Sequence, residues 1–258
     1  MKTSLKTSVI VAFAMTFLLN VSAQTEKQTQ QQPVSAKNIF KVNMTSLVLK
    51  NYNFQYERIL SKRISTVVGY RIMPEGPVPF KQKLINNSTD PAGAQEIFDA
   101  LRISNTAITP ELRFYVGKKG YGRGFYLAPF YRIATFKASG FKLDFTNAAG
   151  NPASLDLKGD LKGNTYGLIM GTQWLLSKNI TLDWHILGGH YGNSNGSLNG
   201  NSSVALTQTE QSEILTAMQD IDIPLTEETY SVNSNGASLF FNGPWGGIRA
   251  AISIGFKF

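Results

Sequence analysis

The stretch WGGIRAAISIGFKF, Trp245–Phe258, decides the fold. Read in twos, Ile248, Ala250, Ile252, Ile254, Phe256 and Phe258 fall on one face. Arg249, Ala251, Ser253, Gly255 and Lys257 fall on the other. A period of two is that of a β-strand. One face is apolar and the other carries Arg and Lys, which suits a strand with lipid outside and a polar lumen inside. Phe256 and Phe258 read as the C-terminal assembly signal, through which the strand meets the barrel-assembly machinery.

The alternation recurs upstream. Phe40, Val42, Met44 and Val48 oppose Lys41, Asn43 and Thr45; Tyr52, Phe54, Tyr56 and Leu60 oppose Asn53, Gln55 and Glu57. Ile64, Thr66, Val68, Tyr70 and Ile72 oppose Arg63, Ser65, Gly69 and Arg71. Leu112, Phe114 and Val116 oppose Glu111, Arg113 and Tyr115. Phe125, Leu127, Pro129, Tyr131 and Ile133 oppose Ala128, Phe130 and Arg132. Tyr166, Leu168, Met170 and Trp174 oppose Gly167, Gly171 and Gln173. Ile180, Leu182, Trp184 and Ile186 oppose Thr181, Asp183 and His185. With the C-terminal strand these make eight, each weak alone but all in one phase of polarity. The fold class they predict is all-β, an eight-stranded antiparallel up-and-down transmembrane β-barrel over residues 39–258, with short helices in long extracellular loops.

Connection lengths agree. The joins Ser61-Lys62, Gly117–Arg123 and Ser177–Asn179 are short, whereas Met73–Ala107, Ala138–Asn164 and Gly192–Pro244 are long, and of the joins on that second side only the first, around Lys50-Asn51, is tight. Short joins on one side and long ones on the other are the asymmetry of outer-membrane barrels. Lys62, Arg63, Lys118, Lys119, Arg123 and Lys178 gather at the short joins. The Gly192–Gly247 stretch has no Lys or Arg and holds Glu210, Glu213, Asp220, Asp222, Glu227 and Glu228.

The N-terminus supplies an export route. Lys2 and Lys6 precede the apolar run Val9–Leu19, and Val21-Ser22-Ala23 is a small-x-small site with cleavage expected after Ala23. Residues 1–23 therefore read as a signal peptide, and the run is too short for a comfortable spanning helix. Residues 24–38 are Gln-rich and cannot bury surface, so they read as a flexible periplasmic leader. Without cysteine, disulfides, thiol catalysis, Cys-ligated metal and a lipoprotein anchor are excluded. The formal charge of +8 suits nucleic acid, but an exported chain does not meet it and none is expected as a partner. Outer-membrane lipid and lipopolysaccharide are the expected surroundings, and a monomer the expected state.

In the long loops, Ala92–Leu101 places Ile97, Phe98 and Leu101 on one helical side, and Thr207–Asp220 does so for Ile214, Leu215 and Met218. Either helix suits a cap on the barrel mouth. Phe141, Leu143 and Phe145, with Leu155 and Leu157 beyond Asn147–Pro152, read as a hairpin projecting above the membrane. Asn193–Ser203 (NSNGSLNGNSS) reads as a low-complexity, mobile loop.

Tyr56-Glu57-Arg58 closing a short hairpin, Gly69-Tyr70-Arg71, Pro110–Tyr115 (PELRFY) and Gly124–Pro129 (GFYLAP) carry a resemblance. The chain resembles an uncharacterised Bacteroidota outer-membrane barrel family, distantly similar to the OmpA-type eight-stranded barrel, over Phe40–Phe258 apart from the long loops. These motifs are architectural, so the likeness implies a location and a fold and no reaction. No peptidoglycan-binding domain follows Phe258, so no cell-wall tether is expected.

Glu57, Arg63, Arg71, Glu111, Arg113, Arg132, Asp183, His185 and Arg249, with Lys41 and Lys257, are expected in the lumen. An eight-stranded barrel is filled by its own side chains, so these charges read as a polar plug. The surplus of Arg and Lys leaves a narrow anion-preferring channel as the alternative. Asp183 and His185 have the Asp-x-His spacing of some barrel proteases, but lie a few residues above a short join, away from external substrate. The competing expectation is a lumen His bonded to Asp183. His190, the other histidine, lacks a Ser two residues on, where Gly192 stands, as a lipid-modifying barrel would need. Two histidines and no cysteine make no zinc set. Asp220, Asp222, Glu227 and Glu228 fit no Ca²⁺ loop and read as a solvated face, although a cation shared with lipopolysaccharide is the other reading. Trp174, Trp184, Trp245, Tyr52, Tyr70 and Tyr131 read as interface-belt or lipid-facing aromatics. No catalytic residue, cofactor or metal is expected. The expected role is non-enzymatic, in envelope structure or surface interaction through the loops; a narrow pore or gated channel and a lipid-modifying or proteolytic barrel enzyme are the rivals.

Overall fold

The computed structural model describes residues 36–258, apart from 148 and 220–224. The expected signal peptide, most of the leader, and Asp220 and Asp222 lie outside the described residues. The strands are β1 Asn38–Asn43, β2 Tyr52–Ile59, β3 Ile64–Pro77, β4 Arg102–Tyr115, β5 Gly124–Thr146, β6 Pro152–Leu175, β7 Ile180–Ser202, β8 Glu227–Asn233 and β9 Gly236–Lys257. All pair antiparallel in one sheet, in chain order from β1 to β7, with β7 then pairing β9. β1 also pairs β9, from Ile39↔Lys257 to Asn43↔Ser253, and this closes a ring of eight strands. Asn38 and Phe258 exchange backbone hydrogen bonds of 3.0 and 2.9 Å at the lower rim, where the β2–β3, β4–β5 and β6–β7 turns also lie.

Alternation sorts the side chains as the pattern requires. Along β2, Asn53, Gln55, Glu57 and Ile59 are buried, while Tyr52, Phe54 and Tyr56 are exposed. On β9, Ala251, Ser253 and Lys257 are buried between the exposed Ile252, Ile254, Phe256 and Phe258. The exposed side chains are large and apolar and the buried ones largely polar, the reverse of an ordinary water-soluble domain.

β1 is shorter than its apolar run. Asn43 ends it by accepting the Ser46 N–H at 3.1 Å, which caps helix α1, Met44–Leu47. Above Ser253, β9 therefore meets α1 in place of a strand, with Ile252 N donating to Thr45 Oγ1 at 3.4 Å. β5 and β6 project as the expected hairpin, paired as far as Thr146↔Pro152. Asn193–Ser202 is not a mobile loop. It is the upper half of β7, paired with β6 on one side and β9 on the other. Gly196 and Gly200 lie against the Phe241 ring and Leu155, so the low-complexity composition is what the close packing admits. β9 accordingly starts at Gly236, and β8, unforeseen in the sequence pattern, pairs β9 over Gly236–Asn242.

The helices stand in the upper connections. α2 is Lys81–Asn86, α3 is Pro91–Ala100 and α4 is Gln208–Gln219. Asp90 caps α3 by accepting Gly93 N–H at 3.1 Å, with Pro91 in the first turn. Ile97 and Leu101 line one small apolar cavity with Ala138, Leu157 and Leu198. α4 begins with a capping box, in which Thr207 N donates to Glu210 Oε2 at 2.6 Å and Glu210 N to Thr207 Oγ1 at 3.4 Å.

Candidate functional site

The interior of the ring holds the chemistry, in two layers. The lower is a network of fully buried charges. Lys41 of β1 places Nζ 2.5 Å from Glu57 Oε2 and 2.6 Å from Asp183 Oδ2. Arg113 of β4 reaches Asp183 Oδ2 at 2.6 Å and Glu111 Oε2 at 3.0 Å through separate nitrogens. Hydroxyls fill the remaining acceptors: Ser65 and Tyr115 donate to Glu57 Oε1 at 2.5 and 2.8 Å, and Tyr126 donates to Asp183 Oδ1 at 2.8 Å. Gln173 accepts from Lys41 and donates to Gly122 O at 2.7 Å. Strands β1 to β7 all contribute a side chain to this layer, so the network ties together parts of the chain that no backbone ladder joins.

Asp183 and His185 do not form the expected pair. His185 Nε2 stands 3.6 Å from Asp183 Oδ2, too far for a direct hydrogen bond, and 3.0 Å from Arg113 Nη2. Guanidinium only donates, so Nε2 accepts and the imidazole proton of this contact is on Nδ1. Both residues are closed off from solvent, at 0% and 1% exposure. The arrangement holds Arg113 in place and leaves no room for a substrate at the pair.

A buried cluster of Tyr115, Tyr126, Ala128, Phe130 and Ile169 leads upward from the network, in which its two tyrosines take part, to Phe130. The Arg113 guanidinium lies over the Tyr126 ring at 4.5 Å. At the upper end of this cluster, Arg249 lies over Phe130 at 5.1 Å and the His190 ring meets Phe130 edge-on at 6.2 Å. Arg132 is buried and donates to Thr109 Oγ1 at 3.3 Å, and Arg71 is half-buried.

Of the residues expected in the lumen, Glu57, Glu111, Arg113, Asp183 and His185 share the lower network, with Lys41. Arg71, Arg132 and Arg249 stand apart, in the upper layer. Arg63 is not inside: β3 starts one residue later, and Arg63 is exposed in the β2–β3 turn, where its carbonyl accepts from Tyr115 N. Trp245 is not a belt aromatic. It faces inward, with its ring 5.7 Å from that of Phe136 and against Gly163.

His190 was missed as an interior residue because strict alternation from Ile180 turns it outward. A β-bulge between His185 and Gly188 shifts the phase, leaving Ile186 and Leu187 both exposed and bringing His190 inside. The adjacent apolar pair Ile186-Leu187, followed by Gly188-Gly189, was the available signal. In the long loop, Glu228 accepts from Thr226 Oγ1 and Tyr230, and no cluster of metal-ligand side chains occurs among the described residues.

No family model matches this sequence, and no curated protein does. Among solved structures, an outer membrane channel from Pseudomonas putida F1 is similar at 8% identity and a TM-score of 0.26, over 92% of this chain and 100% of the other.

Proposed function

We propose that the chain is a transmembrane β-barrel of the outer membrane, without catalytic activity, acting in envelope structure or in surface contacts made by its projecting strands and upper helices. The observation that carries the reading is the inverted ring. Phe54, Tyr70, Ile108, Tyr131, Leu168, Trp184 and Ile254 stand exposed on its outside, while Lys41, Glu57, Arg113 and Asp183 are sealed within. An apolar exterior of this extent is unfavourable in water and favourable against acyl chains. Closure of β1 on β9, with α1 against β9 above Ser253, also covers the edge that an open sheet would present to the hydrocarbon.

The lower network supports a closed lumen over a pore, because Arg113 of β4 crosses the interior to Asp183 of β7, which Lys41 of β1 also meets. The surplus of arginine in the upper layer favours the second reading, a narrow anion pore. Planar-bilayer recording discriminates them: the closed reading expects no unitary current at 1 M KCl, and steady single-channel steps would replace it with the pore. Membrane placement is tested by detergent partition and heat-modifiable gel mobility of the expressed chain. Recovery in the aqueous phase with unaltered mobility would overturn the barrel.

A further inference from the structure

The lower network balances its charges at close range; the upper layer does not. Arg71, Arg132 and Arg249 come from β3, β5 and β9, and each lies within electrostatic reach of another of the three. Among the described residues none has a carboxylate within 4.0 Å. Glu111 is the acidic group that acts on Arg249, and Arg113 already holds it at 3.0 Å. Arg71 Nε, Arg249 Nη1 and His190 Nδ1 are buried and have no hydrogen-bond partner among the described residues. Three guanidinium groups gathered without an anion are costly, both by mutual repulsion and by their unmade hydrogen bonds.

We propose that Arg71, Arg132, Arg249 and His190 form a binding site for an oxyanion of the phosphate or sulfate type, inside the upper half of the ring. A guanidinium fork matches two oxygens of such a group, and an imidazole N–H supplies a further single donor. The geometry supports a built site. Phe130 backs both Arg249 and His190, which fixes their planes. The bulge in β7 serves to bring His190 to the same side as the arginines. Access is from above, since Arg71, His190 and Arg249 are half-buried whereas the layer beneath them, from Tyr126 to the Lys41–Asp183 pair, is sealed. The site is a blind vestibule: an anion binds from the outer side and does not pass. It depends on the interior of the ring, so it stands or falls separately from membrane placement.

The test is calorimetric titration of the folded full chain in detergent at low ionic strength with inorganic phosphate, glucose 6-phosphate and chloride, for the natural chain and for Arg249→Gln, Arg132→Gln and the rim control Arg63→Gln. Far-UV circular dichroism and the melting transition of each variant establish that it is folded. Saturable phosphate binding is expected, weakened about tenfold or more by either lumen variant and unchanged by Arg63→Gln. Binding of phosphate and glucose 6-phosphate alike identifies a headgroup site, and of phosphate alone a site for the free ion; both support the proposal. Absence of saturable phosphate binding by the folded natural chain, equal affinity in folded Arg249→Gln, or chloride binding as tight as phosphate overturns it.

Discussion

Lys41 Nζ on β1 lies 2.6 Å from Asp183 Oδ2 on β7, although β9 runs between those two strands. The pair therefore reaches over β9 on the inner face and reinforces the β1–β9 closure, which itself rests on the five residue pairs from Ile39 to Asn43 and the Asn38–Phe258 backbone hydrogen bonds below them. Asp183 also receives Arg113 and Tyr126, so its removal takes one carboxylate from each of two buried cations at once and leaves Lys41 with Glu57 and Arg113 with Glu111. Asp183→Ala is expected to cost about 3–5 kcal/mol, read as a fall in the urea midpoint of refolded protein. A variant that kept the natural midpoint would refute the view that this network closes the ring.

The upper arginines carry the opposite sign. Arg132 has a single hydroxyl contact, with Thr109, and repelling neighbours in Arg249 and Arg71. Arg132→Met removes the repulsion while keeping much of the volume. In buffer of low ionic strength without phosphate or sulfate it is expected to raise stability by about 1–3 kcal/mol, the usual penalty of an unsatisfied buried group. Adding phosphate should narrow the difference, since the natural chain alone gains from binding. Denaturant titrations with and without 10 mM phosphate check both statements, and destabilisation in the phosphate-free series would contradict them.

The periodicity of two was enough to place the ring strands and the sides of Lys41, Glu57, Arg113 and Asp183, because burial on one face fixes the phase of a strand. It failed where something broke the period. Asn193–Ser202 reads as a loop by composition, yet Gly196 and Gly200 are there because a Cβ would strike Phe241 or Leu155, a tertiary reason invisible in one sequence. Arg63 was placed inside by extending the alternation one residue beyond the strand. The partition of the lumen into a balanced lower layer and a cationic upper one depends on which rungs face each other across the ring, and a single strand does not carry that register.

The β7 bulge makes a prediction of its own. The natural chain has no cysteine, so single-cysteine variants report one site each. Spin labels at 184, 186, 187, 189 and 191 are expected to be accessible to molecular oxygen dissolved in detergent or lipid. Labels at 183, 185, 188 and 190 are expected to be shielded. The informative feature is two accessible neighbours, Ile186 and Leu187, followed by reversed parity. Unbroken alternation through 192 would remove the bulge, and with it His190 from the interior.

Gly171 and Tyr126 supply the last test. A Cβ at Gly171 would stand 2.4 Å from the Tyr126 ring and hydroxyl and 2.8 Å from the Trp184 carbonyl. Glycine at this point lets the Tyr126 hydroxyl reach Asp183 at 2.8 Å over the β6 backbone. Gly171→Ala must push the tyrosine aside, so it costs both strain and the hydrogen bond to a charged acceptor, the latter about 1.5–3 kcal/mol. In a Tyr126→Ala background the ring is gone and only the carbonyl contact remains. The two substitutions are therefore expected to be less than additive by about 0.5–3 kcal/mol in a double-mutant cycle on urea midpoints. Strict additivity would mean that Gly171 serves the Trp184 carbonyl alone, and that the tyrosine bond to Asp183 is held by other means.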